Sequence, residues 1–96
     1  MSLRQLLQSK RSQILQIAAR HGARKVRVFG SVARGDARPD SDIDFLVDME
    51  RGRSLLDLIE LGQDLEELLK HKVDVLTDGG LSLHLEQRIH SEAVFV

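Results

Sequence analysis

Cysteine, tryptophan and tyrosine are absent from this 96-residue sequence, proline occurs once, and aromatic residues make up only 3% of the chain. The lack of cysteine excludes disulfide bonds, thiolate nucleophiles and zinc–thiolate sites, and it is typical of a reducing compartment. No segment has the uninterrupted apolar length of a signal peptide or a membrane span. We therefore expect a cytoplasmic protein that does not bind membranes.

The sequence also lacks an excess of charge of either sign. Its 14 Lys and Arg residues nearly balance its 15 Asp and Glu residues, which leaves a net charge of -1. Because no positive field surrounds such a chain, broad nucleic acid binding is not expected. The length and the 42% hydrophobic content fit one compact domain over residues 1–96, and no repeat or linker divides the chain.

Hydrophobic periodicity predicts helices and strands in the order αβαβαβα. The predicted segments are a helix over 2–20, a strand over 26–29, a helical turn over 32–34, a loop over 35–41, a strand over 42–47, a helix over 54–70, a strand over 73–76 and a helix over 83–91, with 94–96 as a candidate terminal strand. Ser2 and Ser54 are the predicted helix N-caps, and Gly22 is the predicted stop of the first helix. We expect an α/β (α+β) fold in which helices pack on one face of a small mixed sheet.

Two aspartates in the second predicted strand alternate with apolar residues. Ile43, Phe45 and Val47 share one face of this strand, which leaves Asp42 and Asp44 together on the other face. Carboxylates two residues apart lie roughly 7 Å from each other along a strand, close enough to share divalent cations. Magnesium prefers hard oxygen ligands and keeps positions for phosphate, so the pair favours a magnesium and nucleotide triphosphate site. Two solvated charges on an exposed strand are the alternative interpretation.

The dipeptide Gly30-Ser31 falls where a predicted strand ends and a helical turn begins. Glycine permits close approach, and the free N–H groups of a helix start bind anions, so phosphate oxygens are expected here. The Ser31 hydroxyl adds a donor, although an ordinary N-cap explains a serine at this position equally well. Arg34 follows, and it either pairs with phosphate oxygens or lies exposed in the helical turn.

The spacing between these two motifs points to a known family. The run GSVARGDARPDSDIDFLV joins Gly30-Ser31 to Asp42 and Asp44 through ten intervening residues, 32–41. This Gly-Ser-x10-Asp-x-Asp pattern resembles the minimal nucleotidyltransferases of the DNA polymerase beta superfamily, and the resemblance covers nearly the whole chain. It implies a polymerase beta-like palm fold in which Gly30-Ser31 holds the triphosphate and the two aspartates hold two Mg²⁺ ions.

The same resemblance implies a third carboxylate and a reaction. Asp74, flanked by Val73 and Val75, matches the family's position on a neighbouring strand, where it would bind metal and accept the proton of an attacking hydroxyl. An ordinary polar strand residue is the alternative interpretation of Asp74. The implied reaction is an in-line attack on the α-phosphorus of a nucleotide, with ATP as the donor and pyrophosphate as the leaving group. The four histidines lack metal-ligand spacing, so we predict no metal or catalytic role for them.

A protein partner also follows from the resemblance. Free-standing members of this family are commonly paired with HEPN-type ribonuclease toxins, and they act as antitoxins by transferring AMP from ATP to a toxin tyrosine. The leading hypothesis is an antitoxin of this kind in a hetero-oligomer with its toxin. Two alternatives stay open: an antitoxin that neutralises its toxin by stoichiometric binding alone, and a nucleotidyltransferase whose acceptor is a small molecule such as an antibiotic.

Overall fold

The structure, a computed structural model, describes residues 2–77 and 91–96. Its helices and strands within these ranges are α1 (Leu3–Ser9), α2 (Arg11–Arg20), β1 (Ala23–Phe29), α3 (Ser31–Arg34), β2 (Ile43–Met49), α4 (Leu55–Leu69), β3 (Val73–Thr77) and β4 (Val94–Phe95). Helices and strands therefore alternate through most of the chain, as the hydrophobic pattern predicts. None of the helices in the described ranges is long and apolar enough to cross a membrane.

The strands form one mixed sheet in the order β3-β2-β1-β4. β2 lies between β1, which is antiparallel to it, and β3, which is parallel to it, and β4 pairs antiparallel with the outer side of β1. The predicted mixed sheet is confirmed, and the candidate strand at the C-terminus is the short β4. β3 and β4 form the two edges of the sheet in the part of the chain that the structure describes.

The helices cover the apolar face of this sheet. Ile43, Phe45 and Val47 of β2 are completely buried, in one cluster with Ile14 of α2 and Leu65 of α4. This is the face that the alternation in β2 predicts, because every second side chain of a strand points to the same side. The opposite face of β2 carries Asp44, and the core therefore fixes which way that carboxylate points.

The predicted helix boundaries agree with the structure at three positions. Ser2 and Gln5 form a capping box, in which the Ser2 Oγ accepts the Gln5 N–H at 3.1 Å. The Ser54 N–H donates to the Asp57 carboxylate at 2.9 Å, at the start of α4. Gly22 follows the end of α2 with a φ of 78°, a conformation that glycine adopts at little cost.

Other boundaries differ from the prediction. The first helix is divided at Lys10, whose φ of -106° and ψ of 10° separate α1 from α2. A straight helix over 2–20 would extend about 28 Å, whereas the break lets α1 contact α3 while α2 packs on β1. β1 begins at Ala23, three residues earlier than predicted, and β2 begins at Ile43, so that Asp42 directly precedes the strand. The predicted helix over 83–91 lies, apart from its last residue, outside the described residues.

Candidate active site

Gly30 brings the turn after β1 against the carboxylate of Asp44. Its φ of 73° and ψ of -147° belong to a region that is essentially reserved for glycine. A Cβ atom at this position would lie 2.6 Å from the Asp44 Oδ2 atom, closer than real Cβ atoms approach another atom. The backbone conformation therefore favours glycine here, and any side chain would in addition displace the Asp44 carboxylate.

The strand register places a second carboxylate beside Asp44. Asp44 and Asp74 are partners in the parallel pairing of β2 and β3, so their side chains leave the same face of the sheet. Asp42 precedes β2 on the chain. Burial raises the pKa of Asp44, the negative charges of Asp74 and Asp42 raise it further, and the positive charge of Arg34 opposes them. These shifts show that Asp42, Asp74 and Arg34 all act electrostatically on Asp44.

The three aspartates offer only hard carboxylate oxygens, which is the ligand type that suits magnesium. Their mutual repulsion, expressed in the raised pKa of Asp44, is the kind that a cation between them would relieve. The donor set therefore fits a divalent cation. In the arrangement that the structure shows, no set of one oxygen each from Asp42, Asp44 and Asp74 lies within 4.8 Å of one another.

Arg34 ends α3 and is held by two acidic partners. Its Nε donates to Asp36 at 3.3 Å and its Nη1 donates to Glu92 at 3.2 Å. These hydrogen bonds and charges, with Asp36 contributing most, raise the pKa of the guanidinium.

The N-cap of α3 is Gly30, and Ser31 is the first residue of this helix, so capping does not explain the serine.

A different group of side chains does come together closely, at the other end of the sheet. One nitrogen or oxygen atom each of His21, Asp57 and Glu60 lies within 4.8 Å of the others. The His21 ring is further anchored by its Nε2 atom, 2.6 Å from the Asp64 Oδ2 atom. No sequence pattern predicts this cluster, because His21 follows the end of α2 while Asp57 and Glu60 lie on α4, and only the fold brings them together. The bond to Asp64 ties the end of α2 to α4.

Comparison with known proteins decides the family. The sequence profile of the nucleotidyltransferase domain matches residues 11–96. The chain belongs to this nucleotidyltransferase family. A protein of Methanocaldococcus jannaschii, provisionally named a protein adenylyltransferase, is 45% identical over 84 residues, which cover 88% of this chain and 90% of that protein. The protein adenylyltransferase MntA of Thermococcus cleftensis is 42% identical over 81 residues, 84% of this chain and 82% of the relative.

Solved structures share the fold of this chain. A structure provisionally described as a minimal nucleotidyltransferase superposes with a TM-score of 0.88 at 47% sequence identity, covering 97% of this chain and 95% of the other. A toxin–antitoxin structure with AMP-PNP superposes with a TM-score of 0.76 at 23% identity, covering 88% of this chain and 69% of the other, which shows the fold alone. The expected nucleotidyltransferase fold is therefore confirmed, and the enzyme class with it.

Proposed function

We propose that this nucleotidyltransferase transfers AMP from ATP to a tyrosine of a HEPN-type ribonuclease toxin and so acts as its antitoxin, with residues 1–96 as one catalytic domain in the cytoplasm. The observation that carries the proposal is that Gly30, Asp44 and Asp74 lie side by side. Asp44 is paired with Asp74 across β2 and β3, and Gly30 lies against the carboxylate of Asp44. A cation and a triphosphate need such a place, where acidic oxygens adjoin an open turn.

Each residue of the site has a proposed role. Asp42, Asp44 and Asp74 would hold two Mg²⁺ ions, which would supply charge neutralisation at the attacking and leaving oxygens. Gly30 and Ser31 bind triphosphate oxygens through backbone N–H groups and the serine hydroxyl. These groups position the donor before any bond changes.

Arg34 is proposed as a further phosphate ligand. It is already oriented by Asp36 and Glu92 and acts electrostatically on Asp44, so it lies near the place where the phosphates would bind. A guanidinium donates several hydrogen bonds in one plane, which suits phosphate oxygens.

The transfer exchanges one oxygen–phosphorus bond for another and moves one proton. The oxygen of the tyrosine hydroxyl forms a bond to the α-phosphorus while the bond from that phosphorus to the bridging oxygen breaks, and pyrophosphate leaves with the electron pair. Asp74 accepts the hydroxyl proton, since it is exposed at the sheet edge beside Asp44. The product is an AMP ester of the tyrosine.

The similar proteins favour a protein as the acceptor. Both of the relatives described above carry the name of protein adenylyltransferase, one of them provisionally. Structural neighbours of lower identity come from toxin–antitoxin complexes, one of them named MntA–HpeT. A small-molecule acceptor is the weaker candidate on these names. An antitoxin that works by binding alone is the other candidate, and it would not need the pairing of Asp44 with Asp74.

Two experiments test the proposal. Incubation with α-labelled ATP, Mg²⁺ and host lysate should label one small protein, which we expect to be a HEPN-type toxin labelled on tyrosine. Replacement of Asp42 and Asp44 by Asn should abolish both the label and the neutralisation of toxin activity. The matched measurement is the amount of complex formed by each variant. Unchanged neutralisation by the double variant at equal complex formation would instead establish binding without catalysis.

A further inference from the structure

Asp42 lies outside the strand pairing that fixes the positions of the other two aspartates. The register between β2 and β3 holds Asp44 beside Asp74, whereas Asp42 precedes β2 and its side chain is exposed. An exposed residue at the end of a loop takes its position from the contacts of that loop. The anchors of the loop over residues 35–41 therefore determine where this carboxylate lies.

The end of this loop is a turn that is closed by its own hydrogen bonds. The Ser41 N–H donates to the Arg38 carbonyl oxygen at 2.9 Å, and the Arg38 N–H donates to the Ser41 Oγ atom at 2.8 Å. Two hydrogen bonds between the same two residues restrict the backbone between them. A contact that holds the turn over residues 38–41 therefore also holds Asp42, which is the next residue.

His71 fastens this turn to the connection between α4 and β3. Its Nε2 atom lies 3.1 Å from the Pro39 carbonyl oxygen, and its Nδ1 atom lies 2.9 Å from the Leu69 carbonyl oxygen at the end of α4. Carbonyl oxygens only accept hydrogen bonds, so the ring nitrogens are the donors. The contact with Pro39 joins residues that are 32 positions apart in the sequence, whereas the contact with Leu69 is local.

A second anchor lies on the other side of Asp42. The Ile43 N–H donates to the Lys72 carbonyl oxygen at 2.9 Å. Asp42 is therefore held between two hydrogen bonds, and both of them end on adjacent residues of one connection, His71 and Lys72. This connection leads directly into β3, which carries Asp74. The spacing between the loop aspartate and the strand aspartate thus depends on these two anchors.

We propose that His71 is a positioning residue of the transfer reaction, which holds Asp42 beside the pair of Asp44 and Asp74 for metal binding. The inference rests on the proposed role of Asp42 as a metal ligand. The effect of His71 passes through the turn over residues 38–41 and requires no contact with the nucleotide. Loss of the contact with Pro39 removes one of the two anchors, so metal-dependent binding of ATP weakens.

Two amide substitutions separate the long-range contact of His71 from the local one. The amide nitrogen of glutamine reaches about as far as Nε2 of histidine, and that of asparagine reaches only as far as Nδ1. His71→Gln should therefore keep the contact with Pro39, and His71→Asn should lose it. In calorimetric titrations of ATP with Mg²⁺, we expect His71→Asn to bind about three- to tenfold more weakly than wild type, and His71→Gln to stay within about twofold. Titrations of ATP in EDTA should give the same affinity for both variants and wild type, which a general disruption of the fold would not.

Two further measurements test the route through the turn. The amide hydrogens of Ser41 and Ile43 should exchange about three- to tenfold faster in His71→Asn than in wild type, because one anchor is lost. In a chain that already carries Asp42→Asn, the substitution His71→Asn should cause no further loss of metal-dependent binding. The reason is that the residue through which His71 acts has been removed.

His21→Asn is the matched control, because it breaks the contact of another histidine Nε2 atom, with Asp64, at the other end of the sheet. This variant should melt at a lower temperature but bind ATP with Mg²⁺ like wild type. Wild-type binding by His71→Asn, an equal loss in His71→Gln, or an additive loss in the double variant would overturn the inference. If the binding results hold but no toxin is labelled, the proposed acceptor is refuted and the positioning role of His71 stands.

Discussion

Replacing Gly30 by alanine perturbs the turn and the carboxylate together. Holding a residue with a side chain at a φ of 73° and a ψ of -147° costs about 1–3 kcal/mol. The new Cβ atom would lie 2.6 Å from the Asp44 Oδ2 atom, so this carboxylate must move by several tenths of an ångström. Since a misplacement of about 1 Å in an active site costs on the order of 100-fold in rate, we expect a loss of transfer between tenfold and 100-fold.

Gly52→Ala separates backbone strain from the effect on the carboxylate. Gly52 also has a positive φ, of 85°, but an added Cβ atom there meets nothing within 4 Å. Both variants should lower the melting temperature, by roughly 4–8 °C for each kcal/mol of strain. Only Gly30→Ala should transfer α-labelled AMP more slowly, and only Gly30→Ala should bind ATP with Mg²⁺ more weakly in calorimetric titrations. Full activity of Gly30→Ala, or an equal loss in Gly52→Ala, would refute the assignment of this turn to phosphate binding.

Three further substitutions test the electrostatics and the packing. Burial and two negative neighbours raise the pKa of Asp44, so its ionised form destabilises the fold above that pKa. Asp44→Asn should therefore melt at a higher temperature than wild type at neutral pH, and the difference should shrink as the pH falls through the raised pKa. A lower melting temperature of Asp44→Asn at pH 7 would contradict this. Gly62→Ala should raise the free energy of unfolding by about 0.5–1 kcal/mol in urea titrations, because the added methyl group has room; destabilisation would mean that the helix and β3 pack more tightly than the distance indicates. Leu65→Ala empties a completely buried position and should cost about 2–5 kcal/mol in the same titrations, and a cost below 1 kcal/mol would place Leu65 outside the core.

The sequence was sufficient to predict the elements whose side chains follow a strict period. The alternation of Ile43, Phe45 and Val47 with the aspartates fixed both the strand and its packing face, and the structure confirms them. Turn chemistry was equally informative, since Gly22 follows the end of α2 as predicted and Gly30 makes the close approach that a glycine at this junction permits. These features depend on residues that are close together in the sequence, so a local sequence pattern is enough to predict them.

Features that depend on tertiary contacts were not predictable from the pattern. Lys10 is an ordinary helix former, and the break at this residue arises because α1 and α2 pack against different elements. The pairing of Asp44 with Asp74 is set by the register between β2 and β3, which no spacing in the chain defines. His21 meets Glu60 through the packing of α2 on α4.

The central claim is that Asp42, Asp44 and Asp74 catalyse the transfer of AMP from ATP. The most direct measurement compares α-labelled with γ-labelled ATP in reactions of the purified chain, Mg²⁺ and the proposed toxin partner. We predict that the α-label appears on a toxin tyrosine, that the γ-label is released as pyrophosphate, and that Asp44→Asn abolishes both. Transfer of the γ-label to the toxin, or undiminished α-labelling by Asp44→Asn, would contradict the account.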